Sequence, residues 1–131
     1  MKIVIDTNNI VSALLTPNGL SAKLLDLVFE KKLVLVYDNF ILTEYFNILH
    51  REKFKLDKKL VNTVINFVIK NGEYKLAEFQ KIEFNDKNDK MFYEVYKNED
   101  VDFLITGNIK HFPKEKNIVT VREFLDIYEA K

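Results

Sequence analysis

Three acidic side chains stand where they could do chemistry together. Asp6 follows directly on the apolar run Ile3-Val4-Ile5 and is followed by Thr7-Asn8-Asn9. That is a carboxylate at the end of a buried strand among hydroxyl and amide neighbours, although an Asp there also suits a helix cap. Glu44 lies three residues after Ile41, one before Tyr45 and four before Ile48. Helical geometry puts it on or beside a buried stripe, as a site carboxylate, as one paired with a lysine, or as one simply at the stripe's edge. Asp89 closes Asp86-Lys87-Asn88-Asp89 and precedes Phe92 and Tyr93 by three and four residues. It heads the face those rings bury; Asp86 as N-cap with Asp89 in the first turn is the ordinary alternative. Three separated carboxylates without His or Cys beside them suit a hard divalent cation. With Mg²⁺ or Mn²⁺ such a cluster can activate a water and neutralise charge at a phosphodiester. Thr7, Asn8, Thr106 and Asn108 can hold water or orient Asp6, or can simply be turn formers.

The elements that must position these groups follow from apolar periodicity. Lys2 to Ile5, Leu33 to Tyr37, Val101 to Thr106 and Asn117 to Val121 read as short buried strands. Between them, helical spacing is expected over Ile10 to Leu15, over Ser21 to Lys31, through Ile41, Tyr45, Ile48 and Leu49 after an Asp38 cap, and from Leu60 to Val68. Met91, Phe92, Val95 and Tyr96 predict a further helix, and Val121, Phe124, Leu125 and Tyr128 a last one. Tyr74 to Phe84 is ambiguous, with room for a short strand. Alternating strands and helices imply βαβ units, hence an α/β three-layer α/β/α sandwich on a mostly parallel sheet. Such sheets bind ligands outside the carboxyl ends of their strands, where strand order reverses. Asp6 and Thr106 are the residues to weigh there.

Composition narrows the field. The 131 residues suit one domain spanning 1–131. Cysteine is absent and there are two histidines, which excludes disulfides and thiolate metal sites. Basic and acidic residues balance at 20 each, so nucleic-acid binding has to come from local patches. One such patch holds Arg51, Lys53, Lys55, Lys58 and Lys59; the other holds Lys110, His111, Lys114 and Lys116. Either could guide RNA through phosphate contacts, with Arg51, Lys110 and Lys114 as the substrate-binding candidates, or be solvated surface. The second patch adjoins the Asn108 loop and is the stronger candidate. The aromatic residues fall mostly at core spacing, which gives no ground for base stacking. No apolar stretch is long enough for a membrane span or a signal segment, so a cytoplasmic protein is expected.

Taken in order, these segments resemble the PIN domain family. They are Ile-Val-Ile-Asp-Thr-Asn at 3–8, Glu44-Tyr45 followed by Leu49-His50-Arg51-Glu52-Lys53-Phe54, and Asn85-Asp86-Lys87-Asn88-Asp89. Phe103-Leu104-Ile105-Thr106-Gly107-Asn108 with Lys110-His111-Phe112-Pro113 completes the set. The resemblance is to the branch of toxin components of toxin–antitoxin pairs. It implies a Mg²⁺- or Mn²⁺-dependent endoribonuclease with Asp6, Glu44 and Asp89 as its acids and Asp86 as a nearby accessory at the metal, an antitoxin partner and homodimerisation. Where many members carry a fourth acid, this chain has Asn108 and His111. Asp102 lies at the wrong end of its strand to replace it; Asp86 could.

That departure keeps a second reading in view, a non-catalytic or weakly active RNA- or protein-binding module on the same fold. A phosphatase of the Asp-x-Asp type does not fit, because Asn8 stands where the second Asp would be. A phosphoryl-accepting receiver lacks its acidic pair.

Overall fold

The computed structural model describes residues 1–130. Five strands run β1 (Lys2–Ile5), β2 (Val34–Tyr37), β3 (Glu73–Tyr74), β4 (Phe103–Ile105) and β5 (Ile118–Val119). Six helices flank them: α1 (Thr7–Leu15), α2 (Leu20–Phe29), α3 (Asn39–Leu49), α4 (Lys58–Asn71), α5 (Lys87–Tyr96) and α6 (Val121–Glu129). Short 3-10 turns occupy Glu52–Phe54 and Ile109–His111.

Every strand pairing is parallel and the order is β3-β2-β1-β4-β5. This is the expected α/β sandwich. Ile3, Val4, Ile5, Leu104 and Ile105 are almost wholly buried, as befits central strands covered on both faces. Strand order advances from β1 through β2 to β3, then jumps back to β4 on the other side of β1. The switch point therefore lies between β1 and β4. The register there pairs Ile3 with Phe103, Val4 with Leu104 and Ile5 with Ile105. Asp6 and Thr106, one residue beyond the last pair, emerge side by side.

The helices begin where side chains cap them. Asp6 caps α1, Asp38 α3, Asp57 α4 and Asp86 α5, each accepting a backbone N–H from its own first turn. Thr120 and Glu123 form a reciprocal capping box at α6. That box ends β5 at Val119 and makes Val121 helical, where the sequence suggests a strand reaching Val121. The end of α4 passes very close to β2: a Cβ on Gly72 would lie 2.5 Å from the Val68 carbonyl oxygen and 2.7 Å from that of Leu35. Only glycine fits between those two backbones.

The ambiguous segment forms strand only at Glu73–Tyr74. Beyond it the chain runs irregularly along α5. Glu78 N–H donates to the Glu94 carbonyl at 2.9 Å and Gln80 N–H to the Glu94 carboxylate at 2.8 Å. Helix and loop thus satisfy backbone groups that no sheet neighbour takes. Among the described residues no helix is long and apolar enough to cross a membrane.

Candidate active site

The crevice above the β1–β4 switch point is a cleft of about 190 Å³. Its walls come from the end of β1 and start of α1 (Asp6, Thr7, Asn8), α3 and the turn after it (Glu44, Ile48, Arg51), the start of α5 (Asp86, Asn88, Asp89, Phe92) and Asn108 after β4. Four carboxylates separated in sequence therefore border one space.

Asp6 is only 5% exposed and is fully engaged. Its Oδ1 accepts the Asn9 N–H at 3.0 Å, which caps α1. Its Oδ2 accepts the Thr106 hydroxyl at 2.6 Å and the Gly107 N–H at 3.1 Å. Asp6 thus caps α1 while standing on the cleft wall. Burial pushes its pKa above the usual carboxylate value, and the Thr106, Asn9 and Gly107 hydrogen bonds oppose that rise. Thr106 is itself fixed, since its hydroxyl oxygen accepts the Asn108 N–H at 3.0 Å.

Glu44 is half-buried, as its place beside the α3 stripe predicts. No lysine holds it. Thr7 donates its hydroxyl to Glu44 Oε2 at 2.6 Å, so Thr7 orients Glu44 and not Asp6. Burial raises the Glu44 pKa; the Thr7 hydrogen bond lowers it, the charges of Asp86 and Asp89 raise it, and Arg51 lowers it. Asp89, in the first turn of α5, is raised by burial and by Asp86, with His111 opposing. His111 Nδ1 lies 3.2 Å from Asp89 Oδ2. The imidazole that stands in for a fourth acid is thus a partner of the third.

Tyr45 is a positioning residue that the periodicity alone does not reveal. Its ring is buried and its hydroxyl donates to the Ile5 carbonyl, tying α3 to β1 at the peptide just before Asp6. A buried tyrosine inside an apolar stripe needs such a partner, and that requirement was the available signal. Asp102 accepts the Lys2 N–H at 2.7 Å, at the far end of the sheet as expected. Of the basic candidates, Arg51 borders the cleft, whereas Lys110 and Lys114 are exposed on the loop beyond β4 and do not line it.

The donor set is carboxylate, amide and hydroxyl oxygen, and among the described residues Arg51 is the one cation on the cleft wall. Among the described residues no three acidic, His or Cys side chains gather closely enough to hold a metal ion together. Mg²⁺ is commonly held by one or two carboxylates while keeping several waters. An open cleft with crowded, partly desolvated carboxylates fits that mode.

The fold and this carboxylate-lined switch-point cleft define a class. A family model described as PIN domain matches residues 2–110, and the chain belongs to the PIN domain family. The structure is similar to that of VapBC2 from Rickettsia felis bound to a DNA fragment from their promoter. That likeness has a TM-score of 0.56 at 19% sequence identity, covering 92% of this chain and 97% of that one. At such identity the likeness is one of fold. The chain is also 59% identical over 34 residues to the uncharacterized protein MJ1680 of Methanocaldococcus jannaschii, a stretch covering 26% of this chain and 22% of that relative.

Proposed function

We propose that the chain is a Mg²⁺- or Mn²⁺-dependent endoribonuclease and the toxin of a toxin–antitoxin pair. The observation that carries this reading is the convergence of Asp6, Glu44, Asp86 and Asp89 on one cleft at the β1–β4 switch point. Asp6, Glu44 and Asp89, with Asp86 as accessory, are the residues to hold the cation. Once bound, it supplies a Lewis acid that lowers the pKa of water and offsets charge on phosphate.

The chain's own groups divide the remaining work. Thr106 and Gly107 hold the Asp6 carboxylate with one face towards the cleft. Thr7 holds Glu44, and His111 holds Asp89. Asn8 and Asn108 offer amides to water or to ribose hydroxyls. Arg51 gives a bidentate contact to a phosphate at the cleft mouth, and Lys110 and Lys114 extend the positive surface beyond it. A single domain over 1–131, an antitoxin partner, homodimerisation and a cytoplasmic site of action belong to the same reading; the VapBC2 fold likeness supports the partner.

One observation favours a second reading, a weakly active or non-catalytic RNA- or protein-binding module. Among the described residues the carboxylates form no metal-holding cluster, and Asn108 and His111 stand where many members of the family carry a further acid. Incubating a structured-RNA pool with Mn²⁺, Mg²⁺ or chelator separates the two. Metal-dependent cutting by the wild type and none by Asp6→Asn supports the nuclease; RNA retention without cutting in either metal supports the module.

A further inference from the structure

A second groove, of about 480 Å³, opens from the carboxylate cleft between α3 and the start of α5. That is within the usual size of a small-molecule site, about 300–1,000 Å³. Glu44 and Arg51 border both spaces. Phe40, Ile48 and Met91 give the groove its apolar surface, and Asn39, Asn47 and Asn88 line it with amides. Phe40 is 73% exposed, one residue into α3, so it is not part of the core that the aromatic spacing implies.

The chemistry of this lining is selective. No lysine contributes, so the groove does not match a phosphate backbone; the cation stands at its border with the cleft. An amide offers a donor and an acceptor together, the pattern that base edges present. An exposed ring beside it is a stacking platform, the means by which single-stranded RNA bases are held. A docked amphipathic helix would call for a continuous apolar stripe, and here the apolar groups are interrupted by amides.

We propose that this groove is a nucleobase subsite. A base of single-stranded RNA stacks on Phe40, Asn39 and Asn47 hydrogen-bond its edge, and Arg51 holds the phosphate that passes from groove to cleft. The subsite rests on the ribonuclease reading for its place in the reaction, but it is tested by binding alone.

The test uses the full chain in chelator, where metal-dependent cutting is off, with short single-stranded RNAs carrying 2-aminopurine. Wild type should bind and quench the probe. Phe40→Ala and Phe40→Leu should each weaken binding about tenfold and lose the quench, whereas Phe40→Trp should keep both. Because Phe40 is exposed, all three variants should melt like wild type. The leucine variant is decisive, since it keeps apolar area and removes the ring. Wild-type affinity in Phe40→Leu overturns the subsite and leaves the groove to a protein segment; absence of RNA binding by the wild type overturns it as well. The nuclease reading fails separately. Metal-dependent cutting with unaffected Phe40 variants removes only the subsite. RNA binding that depends on Phe40 in a chain that cuts nothing keeps the subsite and removes the nuclease.

Discussion

Thr106 donates its hydroxyl hydrogen to Asp6 Oδ2 over 2.6 Å, although the two residues are 100 apart in sequence. The parallel register of β1 and β4 brings them together, because Ile5 pairs with Ile105 and the next residue on each strand enters the switch-point crevice. Hydrogen bonds from Thr106, Gly107 and Asn9 let a carboxylate remain in a nearly closed position. A buried carboxylate with no such donors would protonate instead.

Thr106→Val keeps the shape of the side chain and removes its hydroxyl. The Asp6 carboxylate then loses its shortest donor and the Asn108 N–H loses its acceptor. Stability should fall by about 1–3 kcal/mol, and activity by roughly 10–100-fold, the usual cost of removing a group that orients a metal ligand. Losing a donor to the charged form also raises the Asp6 pKa. The acid limb of the pH–rate profile should therefore move to higher pH, which a purely structural defect would not produce.

Stability without metal should depend on pH in an unusual sense. Asp6, Glu44 and Asp89 all have pKa values raised on folding, chiefly by burial. Between the ordinary carboxylate value and the raised one, the folded chain binds more protons than the unfolded chain, so stability falls as pH rises through that window. Thermal melts in chelator should give a higher Tm near pH 5 than near pH 7.5, and Mn²⁺ should narrow the difference. Asp100 acts oppositely: Lys75 and Lys2 hold it down at about 2, so its contribution is lost only in stronger acid. A chelator Tm that rises steadily from pH 5 to 7.5 would contradict the crowding of these carboxylates.

Asn108→Asp restores an acid on the cleft wall. One added charge a few ångströms from a divalent cation, in water-like surroundings, should tighten Mn²⁺ binding about tenfold. Calorimetric titration of the variant checks this. Unchanged or weaker affinity would place position 108 outside the cation's reach.

Gly72→Ala should destabilise by about 1–3 kcal/mol, because the new methyl meets two backbone carbonyls that cannot move independently. Gly72 does not line the cleft; it joins α4 to β3 against β2. Specific activity of the folded protein should be unchanged while the urea midpoint drops.

Much of this arrangement was legible in the residues. Ile3-Val4-Ile5 and Phe103-Leu104-Ile105 announce central strands by continuous apolar character, and the carboxylate after β1 follows from that. The α3 spacing places Glu44 at the edge of the stripe, where it lies. Which groups meet across the crevice was not legible, because register and helix rotation are set by packing between distant segments. Thr7 could have turned to Asp6 as readily as to Glu44, and nothing local to Tyr45 points to the Ile5 carbonyl. Phe40 stands outside the Ile41, Tyr45, Ile48 and Leu49 stripe, and the rotation of α3 that buries Ile41 and Tyr45 turns it outward. The segment after Tyr74 has strand-forming residues, but its partner strand β2 ends at Tyr37, so it runs off the sheet and folds against α5 instead.

The central claim is that the Asp6–Glu44–Asp89 cleft holds a divalent cation. Titrating Mn²⁺ into wild-type and Asp6→Asn protein by calorimetry tests it without any RNA. Asparagine keeps an oxygen to cap α1 and removes the buried charge, but it sets its NH2 against the Thr106 hydroxyl and the Gly107 N–H, so the variant is titrated well below its own melting temperature, where it is folded. Saturable Mn²⁺ binding by the wild type, lost in the folded variant, is the expected result. No binding by wild type, or equal binding by both, would contradict the claim.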